Sequence, residues 1–309
     1  MKLEKLQSIA DDFCLGQIKD FLLLDTGMVN YNYKIVSDKG IFIIKISKSN
    51  ICEVKTRNIN LQNKVLIYLN KNNFCYEIPL PIKSLNGDLF RMVNDNYVMV
   101  YSWIDGEHFT EKESQREIMK SLAKYHLAIK DFHSKDLIEF DMKWIFGKYD
   151  KMKKIKPKNK TDRLMLDNLE IIENCMLKFQ HNDHNENKLV THSDFSFDNI
   201  LFKDKEVSAI IDFGNVEYAP RIKDIARFII ITCVKNSVFI KKDMETLLVA
   251  YSSINPLTEQ ETKMIIPFMI LNECVDFWWE YCEMKSTKEV RYERLLHSIE
   301  RVKVLSNVK

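Results

Sequence analysis

The texture of the chain changes once, near Asp105-Gly106, and that change limits the fold more than any other feature. Before it, apolar runs are short and broken by turn residues. Residues 3–13 read as an amphipathic helix, and 21–25 (FLLLD) is an apolar run ending at a turn around Gly27. The stretch 31–47 (YNYKIVSDKGIFIIKIS) reads as two strands about Asp38-Lys39-Gly40, a hairpin signal. A helix follows over 54–70, with Ile59, Val65, Leu66 and Leu69 on its apolar side. Strands are expected near 80–84 and 89–93, split by Asn86-Gly87, and a buried strand within 97–104 (YVMVYSWI). After the change, helical spacing takes over. It covers 112–133, with Ile118, Leu122, Tyr125 and Leu127 inside, then 161–179, and most of the chain beyond Asp224. This order predicts an α+β chain of two lobes, a β-rich 1–104 and a mainly helical 105–309, with a ligand cleft between them.

Composition narrows the class. With 309 residues, 46% hydrophobic and 29% charged, the chain can build its core without disulfides. Its 46 basic and 44 acidic residues leave a net charge of +2, which demands neither nucleic acid nor an anionic membrane. The seven Cys include no C-x-x-C pair, which argues against a disulfide framework or a zinc site and for a reducing cytoplasm. The first residues lack the apolar stretch of a signal peptide, and no apolar run approaches the ~20 residues of a membrane span. Lys151–Lys160 holds six Lys, but with balanced charge and no aromatic pattern it reads as a solvated loop rather than a nucleic-acid contact. His181 and His184 sit in a polar loop without the further ligands a metal would need.

One polar cluster resists a structural explanation. THSDFSFDNILF spans Thr191–Phe202, with strand-like text resuming at Asn199–Phe202, and Val207–Asp212 leads into IIDFG (210–214). Phosphoryl transfer needs phosphates held and neutralised, a metal on their oxygens, and a carboxylate at the attacking hydroxyl. Mg2+ takes oxygen ligands, only one or two of them from protein. Asp194 can act as the base, and Asn199 and Asp212 can offer oxygens to the metal. A hydrogen-bonded turn is the other explanation, since Asp and Asn favour turns. It leaves the glycine turn and the Lys upstream unexplained.

These motifs resemble a family. HSDFSFDNIL is similar to the H-G-D-x-x-x-x-N catalytic loop of the aminoglycoside phosphotransferase, choline kinase and homoserine kinase-like enzymes, small-molecule relatives of protein kinases. IIDFG resembles their metal-binding segment, and APRIKDIARFI (219–229) the segment in which an Asp, here Asp224, buttresses the catalytic loop. Upstream, DTGMVNYNYKI (25–35) resembles the phosphate-covering G-x-x-N-x-x-Y turn, and IFIIKIS the strand bearing the phosphate-binding Lys, here Lys45. YVMVYSWIDGEHF (97–109) resembles the strand and hinge beside the nucleotide base. The resemblance covers most of residues 20–230 and implies a bilobal protein kinase-like fold with a nucleotide cleft.

The resemblance also implies roles. Asp194 would position and deprotonate an acceptor hydroxyl, while Asn199 and Asp212 would hold Mg2+. Lys45 would contact the phosphates of ATP, and the turn with Gly27, Met28 and Asn30 would cover them. The backbone of Tyr101 and Trp103 would meet the base, and His192 would brace the loop. There are departures. Ser193 stands where Gly is common, Gly214 where an acid often follows D-F, and Gln62 near the place of the Glu that orients the Lys, with Glu53 as an earlier candidate. If neither reaches Lys45, turnover would be slow. A catalytically weak nucleotide-binding or spore-coat-type structural protein is therefore the alternative.

The expected partner is a small molecule with a hydroxyl. NECVDFWWEYCEM (272–284) places Glu273, Asp276, Glu280 and Glu283 within one or two helical turns of each other, among Trp278 and Trp279. Two readings stay open. One is a cationic pocket through Asp276 and Glu280 for an amine-bearing acceptor such as homoserine, choline, an amino alcohol or an aminoglycoside. The other is a core helix with Cys274, Phe277, Trp278 and Tyr281 buried and its acids solvated. Motifs common to all branches of the family do not choose the acceptor. No A-P-E segment follows Gly214, which argues against a protein kinase.

Overall fold

The computed structural model describes residues 2–24, 30–47, 52–109, 111–180, 187–282 and 288–308. Its elements begin with helix α1 (Leu3–Asp12), strands β1 (Ile18–Leu24), β2 (Asn30–Ser37) and β3 (Gly40–Ser47), helix α2 (Glu53–Lys71), and strands β4 (Arg91–Val93) and β5 (Asn96–Ser102). Helices α3 (Lys112–Ile129), α4 (Met142–Met152) and α5 (Lys160–Gln180) follow, then strands β6 (Lys188–Thr191), β7 (Ile200–Lys203), β8 (Glu206–Ile210) and β9 (Glu217–Pro220). Last come helix α6 (Ile222–Cys233), strands β10 (Val234–Lys235) and β11 (Val238–Phe239), and helices α7 (Lys241–Ser252), α8 (Glu259–Lys263), α9 (Ile265–Cys282) and α10 (Lys288–Ser306). The chain is α+β, with an antiparallel sheet near its N-terminus and helices dominating afterwards.

Two compact units result. The first comprises Met1–His108, Phe132–Ile138 and Ile200–Asn215; the second comprises Phe109–Asp131, Glu139–Asn199 and Val216–Lys309. In the first, the sheet runs β1-β2-β3-β5-β4, every neighbour antiparallel. The β2–β3 hairpin closes where expected, with Ser37 opposite Gly40, and Gly40 takes φ +136, a backbone that L side chains rarely adopt. Side chains alternate across a strand. Tyr33, Ile35, Ile44, Ile46, Val98 and Val100 therefore share one apolar face, onto which α1 lays Leu6, Ile9 and Ala10. The same alternation puts Lys45, between Ile44 and Ile46, on the other face.

The expected strand at 80–84 does not form. Pro79 and Pro81 have no N–H to give a ladder, so only scattered bonds attach this segment to β5, such as Ile82 N–H to Val100 O at 2.8 Å. The β7–β8 hairpin belongs to the first unit. Phe202 and Glu107 exchange backbone hydrogen bonds of 2.8 and 3.0 Å, and Glu77 N–H donates to Ser208 O at 2.9 Å.

In the second unit, α3 buries Ile118, Leu122, Tyr125 and Ile129, a 4-3-4 spacing on one face. Leu127, expected inside, lies off that stripe and is 40% exposed. Helix α9 packs against α6 and α10, and α10 contributes Leu295, Ile299, Val302 and Leu305. A reciprocal capping box between Thr258 and Glu261 starts α8. Among the described residues no helix is long and apolar enough to cross a membrane.

Candidate active site

In the first unit, Lys45 leaves the middle of β3 opposite Asn32 on β2 and Met99 on β5. Its Nζ pairs with Asp212 Oδ1 at 2.8 Å. Asp212 follows β8 at φ +58, and the next residue, Phe213, is fully buried and anchors the turn. A Cβ on Gly214 would stand 3.3 Å from Asp212 Oδ1, so the absence of a side chain there leaves the carboxylate its room. Gln62 does not orient the Lys. Its Nε2 donates to the Tyr101 hydroxyl at 2.9 Å, and that hydroxyl donates to Asn63 Oδ1 at 3.1 Å. Burial, then the negative charge of Asp212, pushes the Tyr101 phenol up, so it stays a neutral donor. Glu53, the other candidate, is exposed at the start of α2.

The other residues expected to meet a nucleotide are placed as follows. Trp103 is half-buried, with its backbone N–H committed to Ile41 O at 3.2 Å and its indole N–H donating to Asp105 Oδ1 at 2.6 Å. Lys34 Nζ lies 4.1 Å from the Trp103 ring centroid. Asn30 opens β2 opposite Ser47, and its buried Oδ1 has no hydrogen-bond partner among the described residues. Gly27 and Met28 lie outside the described residues, as do His181, His184 and Glu283.

In the second unit, β6 delivers the chain to Ser193 at φ +62, and Asp194 follows with its side chain 33% exposed. Phe195 is fully buried and pins the loop. The buried Asn199 donates through Nδ2 to the Asp194 carbonyl at 2.7 Å and, more weakly, to Asp194 Oδ2 at 3.4 Å. With the nitrogen so engaged, the amide oxygen is the atom left for a hard cation. Asp224, at the start of α6 and wholly buried, accepts from His192 N–H and Ser193 N–H, each at 2.7 Å, and from His126 Nε2 at 3.1 Å. Burial pushes its carboxyl up, but the hydrogen bonds from His126 and the His192 N–H outweigh that and hold it below the usual range. His126 is itself driven down by burial, against the opposing pull of Asp224. A neutral imidazole with the proton on Nε2 fits both of its contacts, because Nδ1 then accepts from the Tyr251 hydroxyl at 2.7 Å. His192 is buried edge-on to the rings of Tyr125 and Phe195. Ser193 Oγ donates to Glu217 Oε1 at 3.0 Å, and Lys223 donates to the same oxygen.

Two of the acids of α9 are buried rather than solvated. Cys274, Phe277 and Trp278 are buried, but so are Glu273 and Glu280. Arg301 Nη1 donates to Glu273 at 3.0 Å, Ser298 Oγ to Glu280 at 3.1 Å, and Arg227 Nη1 to Asp276. Burial, partly offset by Arg301, pushes Glu273 up to about 7. Burial, aided by the charges of Asp276 and Glu273, pushes Glu280 up to about 8. Tyr281 is half-buried and donates to Asp162 Oδ1 at 2.9 Å. Arg227 also places Nη2 3.7 Å from Asp194 Oδ1. Sequence reasoning missed His126 and Arg227. Arg227 carried a usable signal, since it lies three residues after Asp224 and so one turn along the same helix.

Residues 20–251 match the APH family, described as the phosphotransferase enzyme family. Homoserine kinase from Methylobacillus glycogenes is 21% identical over 283 residues, covering 90% of this chain and 84% of that protein. In fold, the chain is similar to the amicoumacin kinase hAmiN in complex with AMP-PNP, Ca2+ and Ami, with a TM-score of 0.73 at 16% identity over 99% of this chain and 94% of that one. The microcompartment-associated aminopropanol kinase gives 0.72 at 12% identity, over 97% and 96% of the two chains. The chain therefore belongs to the phosphotransferase enzyme family and is a small-molecule kinase.

Proposed function

We propose that the chain moves the γ-phosphate of ATP to the hydroxyl of a small, amine-bearing molecule. The observation that carries this reading is the Lys45–Asp212 pair at 2.8 Å. It joins a cation on β3 to a carboxylate 167 residues later, a partnership that suits a polyphosphate carrying a divalent metal. In this reading Lys45 and the segment with Gly27, Met28 and Asn30 serve the phosphates, and the backbone of Tyr101 and Trp103 serves the base. The family resemblance assigns Mg2+ to Asp212 and Asn199. Both fit as hard oxygen donors, one a carboxylate and the other an amide whose nitrogen is already engaged. Bound Mg2+ would neutralise phosphate charge. Asp194 takes the proton of the acceptor hydroxyl, whose oxygen bonds the γ-phosphorus as the bond to the β–γ bridging oxygen breaks and ADP leaves. His192 and Asp224 brace the loop that carries Asp194.

Residues 1–104 would form the nucleotide lobe, and 105–309 would carry the catalytic loop and the acceptor site. Asp276, 26% exposed, is the acid on α9 best able to meet an ammonium group, sharing its charge with Arg227. Glu280 is buried and, pushed up to about 8, meets an amine mainly as a neutral acid near pH 7. The aminopropanol kinase of similar fold supports an amine in the acceptor. A second reading, slow turnover on a retained nucleotide-binding fold, draws support from Gln62, which engages Tyr101 rather than Lys45. The test is Mg-ATP consumption against amino alcohols, homoserine, sugars and aminoglycosides, with Asp194→Ala as control. One acceptor should give a signal that the variant loses by about 10²–10⁴-fold. Nucleotide binding with no transfer to any hydroxyl would favour the second reading.

A further inference from the structure

We propose that Arg227 is a positioning residue for Asp194, aimed at it by Asp276; the inference rests on the kinase reading above. Arg227 stands on α6 with its side chain 21% exposed. One end of its guanidinium is fixed by the Asp276 carboxylate and the other lies 3.7 Å from Asp194 Oδ1. A guanidinium is a rigid planar fork, so anchoring Nη1 sets the direction of Nη2. Asp194 is then held from two sides, by the Asn199 amide and by the Arg227 charge.

Arg221, at the N-terminal end of the same helix, shows what a purely structural Arg looks like here. It uses Nε on Glu261, Nη1 on Asn255, and Nη2 on Glu261 and the Pro256 carbonyl. Arg227 has a different pattern. Its buried Nε has no hydrogen-bond partner among the described residues, and its guanidinium meets two carboxylates, each still a quarter to a third exposed. Arg301 shares the unmatched Nε, so what distinguishes Arg227 is a geometry that matches charge to charge beside the base. The guanidinium offsets the negative charges of Asp276, Asp194 and Glu273, so its loss would leave Asp194 beside acids that repel it and shift its carboxylate.

This makes Asp276 an indirect contributor. It holds the group that holds the base, so an acceptor that binds Asp276 through an ammonium also acts on Arg227. The experiment measures kcat and the KM for ATP, with water and with any acceptor that turns over, in wild type, Arg227→Met, Arg227→Lys, Asp276→Asn, Asp194→Asn and the double variant Asp194→Asn/Arg227→Met. Arg227→Met should lower kcat by about 10–100-fold, the scale of a misplaced reacting group, with the KM for ATP within about twofold. Arg227→Lys should recover part of the loss, Asp276→Asn should follow Arg227→Met in direction, and the double variant should be no slower than Asp194→Asn alone. An unchanged kcat in Arg227→Met, or losses that multiply in the double variant, would overturn the proposal. If the wild type turns over no ATP at all, the kinase reading itself fails. The urea-unfolding cycle of Asp194→Asn against Arg227→Met then decides positioning separately: non-additive midpoints support it and additive midpoints refute it.

Discussion

Ser193 sits at φ +62, where a non-glycine residue bears about 1–2 kcal/mol of steric cost. Its hydroxyl offsets this by donating to Glu217 and meeting Thr191 Oγ at 2.7 Å, while its N–H reaches Asp224. Ser193→Ala keeps the strained backbone and loses both hydroxyl contacts. Urea unfolding should show a loss of about 1–2 kcal/mol, whereas Ser193→Gly, which relieves the backbone while losing the same contacts, should stay within about 1 kcal/mol of wild type. Equal losses for the two would mean that the backbone conformation carries no cost. The departure from Gly was readable at this position in the sequence. What compensates it was not, because Glu217 lies 24 residues further on and nothing local ties the two together. Gln62 was the opposite case. The family resemblance placed it near the Lys partner's position, but an amide gains little beside an ammonium already paired with Asp212, and the Tyr101 hydroxyl accepts it instead.

Elements show the same division between local and distant causes. The β2–β3 hairpin, α1, α2 and α5 follow from local periodicity and were legible. The segment at 80–84 misled because its apolar residues suit a strand while Pro81, with Pro79 just before it, cannot sustain one. Gly106 has a reason that only tertiary structure reveals. A Cβ there would fall 2.8 Å from Leu201 Cβ and 3.2 Å from Phe202 O, so the β7–β8 hairpin could not lie against 106–107. Gly106→Ala should therefore cost about 1–3 kcal/mol in urea unfolding; a neutral substitution would show that the hairpin shifts freely.

Helix α9 predicts a pH dependence. Glu280 keeps its proton in the folded chain up to about 8, while in the unfolded chain it releases it near about 4.3. Between those values the folded state binds more protons, so this contribution is full below the lower value and is lost as pH rises through the upper one. Glu280→Gln removes the difference. Its stability relative to wild type should therefore improve between pH 5 and pH 9, as read from urea midpoints at each pH. A constant offset would place the Glu280 carboxyl in ordinary surroundings.

At the scale of the molecule, the candidate site residues divide between two units. Lys45, Tyr101, Trp103 and Asp212 belong to the first, and Asp194, Asn199, Asp224, Arg227 and Asp276 to the second. The α+β order was legible because periodicity changes once. The assignment of 200–215 to the first unit was not, because a hairpin's own sequence does not say which sheet or loop it will lie against. Within the second unit, the Asp224–His126–Tyr251 chain ties the loop that carries Asp194 to α3, α6 and α7, and no spacing rule announces a buried His on α3. The acceptor was equally beyond reach. α9 spells out its acids, but their internal partners, Arg227, Arg301 and Ser298, come from other helices.

The most direct measurement follows the ATP γ-phosphate by phosphorus NMR in the presence of Mg2+ and each acceptor of the panel, for wild type and Asp194→Ala side by side. Phosphoryl transfer through Asp194 predicts a new phosphate monoester signal in the wild type, with ADP in equal amount, and its loss in the variant. A monoester formed equally well by Asp194→Ala would contradict it.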